Sequence, residues 1–334
     1  MKTSKKIIND PLKCADELLD GLVESYDGQA RKVGERSIVM NHLPEGKVAL
    51  LVGGGSGHEP IYHGLVGKNL ADGAACGDIF AAPPPNITLE ATQAVHRGKG
   101  VLYLYGNYAG DVLNFNMAAE LAAEEGIEVR TVLIWDDVAS APPTEKHKRR
   151  GIAGLVPIVK LAGAASTLVR SLDDLERLAT KARDNTRSVG VSTLAGSIPA
   201  TGEPTFELAP GMIGLGMGIH GEKGVATIPF CTADELAPKL LDLILGDDLP
   251  FEPGCSVVLL VNSLGSTTMM ELLIVQRALK PLLRAKGIQV HETLVGPYVT
   301  CQEMAGLSIS LTKLDAELIN LWDMPCSSVC FTKM

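Results

Sequence analysis

Three short apolar runs, each broken off by glycine or acidic residues, constrain this 334-residue chain more than any other feature. Lys47-Val48-Ala49-Leu50-Leu51-Val52 runs straight into glycines at 53, 54, 55 and 57. Gly100-Val101-Leu102-Tyr103-Leu104-Tyr105 runs into Gly106-Asn107-Tyr108, and Glu128 to Ile134 runs into Trp135-Asp136-Asp137. Between the second and third runs, residues 112–125 are rich in Ala, Leu and Glu, which predicts a helix. Strand, loop, helix, strand is the pattern of a parallel α/β sheet. Ligands of such sheets sit in loops beyond the carboxyl ends of the strands, where the glycine and acidic segments fall.

The rest of the chain extends the pattern. Leu12, Ala15, Leu18, Leu19, Leu22 and Val23 recur at helical spacing and predict a helix over 8–25. Residues 151–168 and 172–183 also read as helical. A second α/β region then follows, with strands over 188–192, 213–219 and 256–262 and helices over 232–245 and 268–285. The loop 199–211, rich in Pro and Gly, reads as irregular. The expected fold class is α/β with two domains, both with sheets flanked by helices. Domain 1–187 carries the GGGSGHEP and NYAGD loops, and domain 188–334 carries the GIHGE loop.

Composition excludes several function classes. Hydrophobic residues make up 46% and charged residues 21%, a globular balance. A net charge of -9 disfavours nucleic-acid binding, since the only basic cluster, Lys146-His147-Lys148-Arg149-Arg150, is short and reads as a solvated loop. The basic start Met1 to Lys6 lacks the apolar run of a signal peptide, and no stretch reaches roughly 18 uninterrupted apolar residues. The expectation is a cytoplasmic protein with no membrane partner. Seven Cys without a C-x-x-C pair read as reduced thiols rather than a metal site.

Gly53-Gly54-Gly55-Ser56-Gly57-His58-Glu59-Pro60 fails four familiar patterns. A phosphate-binding P-loop needs Gly-Lys-Ser/Thr where His58-Glu59 stands, and a dinucleotide fingerprint or a nucleophile elbow needs glycine at His58. His58 and His63 are one residue too far apart for a zincin helix and have Pro60 between them. What remains is a loop whose missing Cβ atoms let backbone approach a ligand. His220 sits in a second glycine-wrapped loop, Gly214 to Gly224, with Gly218 and Gly221 beside it. Asp111 closes Gly106-Asn107-Tyr108-Ala109-Gly110-Asp111, either as a helix N-cap or as a general base. Asp136-Asp137 reads as a solvated loop end, with Arg149-Arg150 packed against it as a structural ion pair.

Taken together, GKVALLVGGGSGHEP (46–60), NYAGDVLNF (107–115), RRGIAG (149–154), GLGMGIHGEKG (214–224), NSLGSTTMMEL (262–272) and LWDMP (321–325) resemble the K, or substrate-binding, subunits of dihydroxyacetone kinases. The segments occur in the family's order and span nearly the whole chain. The resemblance implies a homodimer that holds a short ketose covalently for phosphoryl transfer. It implies that His220 adds to the substrate carbonyl as a hemiaminal, that His58 and Asp111 contact hydroxyls and assist proton transfer, and that Gly55, Ser56, Gly57 and Gly106 line the substrate. No cofactor is expected on this chain. ADP or ATP with Mg is expected on a separate L-type subunit, which a phosphotransferase-system component recharges from phosphoenolpyruvate.

One departure stands out. The family usually shows Lys-Asn-Tyr-Thr-Gly-Asp, whereas this chain has Gly106-Asn107-Tyr108-Ala109-Gly110-Asp111. The vacated space suits a longer ketose such as erythrulose. The loss of the lysine also suits a non-catalytic ketone sensor or co-activator.

Overall fold

The computed structural model describes residues 6–334. Most of the basic N-terminal segment, residues 1–5, lies outside the described residues. The elements before the first crossover between units are α1 (Cys14–Ser25), β1 (Ala30–Val33), β2 (Ser37–Met40), β3 (Ala49–Ser56), β4 (Gly73–Ile79), α2 (Pro85–Val95), β5 (Val101–Gly106), α3 (Ala109–Glu124) and β6 (Val129–Ile134). Then come α4 (Leu155–Ser166), α5 (Leu172–Asp184), β7 (Thr186–Leu194), β8 (Met212–Leu215), β9 (Ala226–Pro229), α6 (Ala233–Leu245), β10 (Ser256–Ser263), α7 (Met269–Ala285), β11 (Gln289–Gly296), β12 (Ala305–Leu314) and α8 (Ala316–Trp322). Among the described residues no helix is long and apolar enough to cross a membrane.

The chain divides into two units, but not at a single cut. Among the described residues, the first unit takes 6–134, then Ile158–Ala182 and Leu318–Met334; the second takes Trp135–Pro157 and Arg183–Glu317. This corrects the expected boundary at 187/188. The segment 135–157 joins the second unit because its polar groups are satisfied there. Asp136 accepts the N–H groups of Ile152 and Gly154, and the backbone of Val138 pairs with Ser188. The C-terminal end joins the first unit, where buried Lys160 donates to the carbonyls of Leu321 and Met324 at 2.6 and 2.7 Å.

In the first unit a six-stranded sheet runs β1-β2-β4-β3-β5-β6. β3 lies parallel to both β4 and β5, and β5 lies parallel to β6. The predicted parallel core is present, with β1 and β2 added antiparallel at one edge. α1 starts at Cys14, later than the apolar spacing predicts. Asp10 accepts the Leu12 N–H as a turn, and Ile8 and Leu12 are exposed.

The second unit holds a sheet of order β11-β10-β12-β7-β8-β9, in which only β10 and β11 are parallel. β10 reads Val257 to Val261 without a polar break because helices and neighbouring strands bury it fully. α6 and α7 begin at capping boxes, Thr232 with Glu235 and Thr268 with Glu271. Their apolar faces supply Leu236, Leu240, Ile244, Leu272, Val275 and Leu279 to one core with β7 and β10. The expected strand over 213–219 stops at Leu215, where Gly216 turns with φ +73°.

Candidate functional site

In the first unit, β3 delivers Gly53-Gly54-Gly55-Ser56 and then His58. The glycines answer to packing by the chain itself. A Cβ on Gly53 would lie 2.3 Å from the Ala75 carbonyl oxygen, one on Gly54 2.5 Å from the Tyr62 ring, and one on Gly55 2.9 Å from the Ala81 nitrogen. Neighbouring backbone and rings fill the space on the side where those Cβ atoms would stand. Ser56 Oγ donates to the Gly77 carbonyl at 2.8 Å, and its own carbonyl accepts the Phe80 N–H at 2.8 Å. Phe80, at φ +58°, turns its ring to within 5.1 Å of the His58 ring. His58 is 3% exposed.

Glu59 accepts the Gly57 N–H at 2.8 Å, and burial pushes its carboxyl above the usual range despite that bond. Asp111, in the first turn of α3, stands at the same end of the sheet, since β3 and β5 are adjacent and parallel. The N-cap is Tyr108, not Asp111. Asp111 is therefore the third helical residue, where a carboxylate favours the helix dipole. Gly106, the last residue of β5, pairs with Ile134. His63 is a third histidine here. Burial pushes it down to about 4, so it is neutral at ordinary pH.

In the second unit, His220 lies in the loop between antiparallel β8 and β9. Its side chain is 27% exposed. Its Nδ1 stands 2.9 Å from Oε1 of Glu222, and its backbone N–H donates to Oε2 at 2.9 Å. Burial alone would push the Glu222 carboxyl up, but the hydrogen bonds from the His220 ring and backbone N–H outweigh it and hold it at about 2. Glu222 is therefore ionised across the useful pH range.

Asp136 and Asp137, read as solvated, are both wholly buried. Burying charges is costly unless they are paired or bonded. Burial pushes Asp136 up while two backbone N–H groups hold it, and it pushes Asp137 up to about 6 against the pull of Arg150. Arg150 donates to Asp137 at 2.7 Å, as the expected ion pair requires. Arg149 instead pairs with Asp247 in a fork of 2.9 and 2.6 Å and is itself buried, so the basic cluster is only partly a solvated loop. Among the described residues no group of three or more His, Cys, Asp or Glu side chains converges on a metal position, and none of the seven cysteines is in a disulfide.

Sequence reading placed Glu222 in its loop but gave neither Phe80 nor Glu222 a role. Phe80 carried no local signal, because its partner lies across a strand crossover. Glu222 did carry one, two residues after a glycine-flanked histidine, a spacing that lets a carboxylate turn back onto the ring.

A family model described as the Dak1 domain matches residues 20–330. The PTS-dependent dihydroxyacetone kinase 2, dihydroxyacetone-binding subunit DhaK, of Listeria innocua is 41% identical over 98% of this chain and 99% of its own. The L-erythrulose 1-kinase of Mycolicibacterium smegmatis is 38% identical over 98% of this chain, which spans 58% of that protein. The solved structure of a dihydroxyacetone kinase operon co-activator, Dha-DhaQ, superposes with a TM-score of 0.88 at 30% identity, over 94% of this chain and 97% of that one.

Proposed function

This chain belongs to the Dak1 domain family, and from that premise we propose that it is the ketose-binding subunit of a kinase, a phosphotransferase acting on an alcohol group. It holds dihydroxyacetone or a similar short ketose as a hemiaminal on His220. The observation that carries the reading is the Glu222 carboxylate against His220 Nδ1. An ionised carboxylate only accepts, so Nδ1 bears the proton and the Nε2 lone pair is the nucleophile. Nε2 forms a bond to the ketone carbon, the C=O π pair moves to oxygen, and that oxygen takes up a proton. The ring becomes cationic as the bond forms, and Glu222 stabilises it before the Nδ1 proton leaves. Glycerol lacks the carbonyl, so the covalent bond discriminates where hydroxyl contacts could not.

His58 and Asp111 orient the ketose hydroxyls, with Asp111 taking the proton of the hydroxyl that receives phosphate. Gly55, Ser56, Gly57 and Gly106 line the substrate. Positioning dominates phosphoryl transfer, and a covalently fixed hydroxyl suits it. The phosphoryl group comes from a separate L-type subunit bearing ADP or ATP with Mg, recharged by the phosphotransferase system; the PTS-dependent relative at 41% identity supports this donor. The protein acts as a homodimer in the cytoplasm. Intact mass spectrometry at neutral pH tests the reading: dihydroxyacetone adds one ketose to each chain, and persistence of that adduct in His220→Ala overturns it.

Gly106 favours a second reading in substrate choice, a longer ketose, which the likeness to an L-erythrulose 1-kinase supports. In an assay reconstituted with an L-type subunit, Gly106→Lys shifts preference from erythrulose toward dihydroxyacetone. Equal preference in both proteins removes the idea. The likeness to the operon co-activator supports a ketone sensor instead, marked by an adduct that no donor subunit ever phosphorylates.

A further inference from the structure

Behind the His220–Glu222 pair stands another charged pair. Arg150 Nε and Nη2 donate to Oδ2 of Asp137 at 3.1 and 2.7 Å, and Nη2 also reaches the Gly216 carbonyl at 3.2 Å. Asp137 is fixed in turn: its Oδ1 accepts the Ala139 N–H at 3.0 Å, and its own N–H donates to the Arg150 carbonyl at 3.1 Å. The guanidinium is thus held from two sides, with its side chain 12% exposed. Its remaining nitrogen, Nη1, stands 3.9 Å from Oε2 of Glu222, the oxygen that accepts the His220 backbone N–H. Gly218 keeps this meeting open. A Cβ there would lie 2.1 Å from Glu222 Oε2 and 2.6 Å from Arg150 Nη1.

We infer that Arg150, clamped by Asp137, is a positioning residue that holds the Glu222 carboxylate against His220 and thereby keeps the imidazole in its Nδ1–H form. The inference rests on the proposed function, in which His220 Nε2 is the nucleophile. Glu222 is a flexible side chain in a half-exposed loop, and ordering it costs rotamer entropy. A rigidly held cation beside one carboxylate oxygen favours the single rotamer that leaves the other oxygen facing Nδ1. The Nδ1–H form keeps the lone pair on Nε2, with which the ring adds to a carbonyl. Arg150 touches neither substrate nor reacting atoms in this scheme and acts through Glu222.

Two measurements test this. Ring nitrogen-15 shifts of His220, recorded without ketose, distinguish the Nδ1–H, Nε2–H and doubly protonated forms. The wild type gives Nδ1–H. Arg150→Met gives a mixture, and dihydroxyacetone adduct formation followed by mass spectrometry slows about 2–10-fold, in proportion to the Nδ1–H fraction lost. Arg150→Lys, which keeps the charge, restores most of the Nδ1–H signal. If methionine disturbs folding, Arg150→Gln, polar but uncharged, is read the same way. A folded, uncharged variant with the wild-type ring signal and adduct rate overturns the inference. An adduct that survives His220→Ala overturns the proposed function instead, while the ring signal still reports on Arg150.

Discussion

His58 follows the end of a strand with parallel neighbours on both sides, whereas His220 sits in the loop between two antiparallel strands at the margin of its sheet. Around His58 the chain packs against itself: Ala75, Tyr62 and Ala81 occupy the space that side chains at 53–55 would need, and Phe80 abuts the ring. Around His220 the work is done by charge, through Glu222 and then Arg150 and Asp137. One loop is shaped by exclusion, which tolerates no added volume. The other is held by ion pairs in addition to packing, since a Cβ on Gly224 would lie 2.2 Å from the Leu215 carbonyl oxygen and Gly216 and Gly221 turn at φ +73° and +85°. The difference suits the proposed division of labour, with a nucleophile whose proton must be controlled and a partner histidine that needs only to be in place.

The largest expected effect separates the two histidines outright. His220→Ala abolishes the ketose adduct, whereas His58→Ala retains it with weaker binding. If intact mass spectra show the reverse, the roles are exchanged. Next is Asp111→Ala, expected to keep the adduct while lowering phosphoryl transfer by about 10²–10⁴-fold in an assay with an L-type subunit. Loss of adduct and turnover together would make Asp111 a binding residue rather than a base.

Glycine substitutions sharpen the steric half of the comparison. Gly53→Ala forces a Cβ onto the Ala75 carbonyl and is expected to cost about 1–3 kcal/mol of stability, read as a lower thermal midpoint. Gly218→Ala meets the side chains of Glu222 and Arg150 rather than backbone. It is expected to cost less stability than Gly53→Ala, because side-chain ends yield more readily than a strand carbonyl, while slowing adduct formation. A larger stability loss at 218 than at 53 would break the contrast.

The smallest effects distinguish Glu59 from Glu222 by pH. Glu222 has a folded value near 2, below the ordinary carboxylate range, so its contribution is present above that range and fades as pH falls toward 2. Glu59 is raised, so its contribution is complete at low pH and is lost as pH rises through its folded value. Relative to wild type, Glu222→Gln therefore loses stability at neutral pH and closes the gap in acid. Glu59→Gln gains on wild type as pH rises. Melting curves from pH 3 to 8 with slopes of the same sign for both variants would contradict this assignment.

Helix starts and the parallel strands were readable because their signals are local. Thr232-x-x-Glu235 and Thr268-x-x-Glu271 satisfy their own helix ends within four residues, and an apolar run followed by glycines needs no distant partner to be recognised. Asp136 and Asp137 were misread because an acid looks solvated until its partners are known. The donors to Asp136 lie 16 and 18 residues away, and the carboxylate that buries Arg149 lies 98 residues away. β11 and β12 went unread. Val290, His291, Glu292 and Thr293 in β11 mix polar and apolar residues, and their strand character comes from pairing with β10.

The order of residues along the chain, by itself, determined the α/β class, the parallel core of the first unit and which two histidines lie in glycine loops. Each of these follows from short-range periodicity and from the backbone freedom of glycine. Only the tertiary structure decided that 135–157 belongs with the second unit, that the glycines at 53–55 are filled by neighbouring chain, and that Arg150 stands behind Glu222. These depend on which buried charges and which backbones meet across tens of residues. That is settled by satisfying polar groups and filling volume in three dimensions, and no window of sequence contains it.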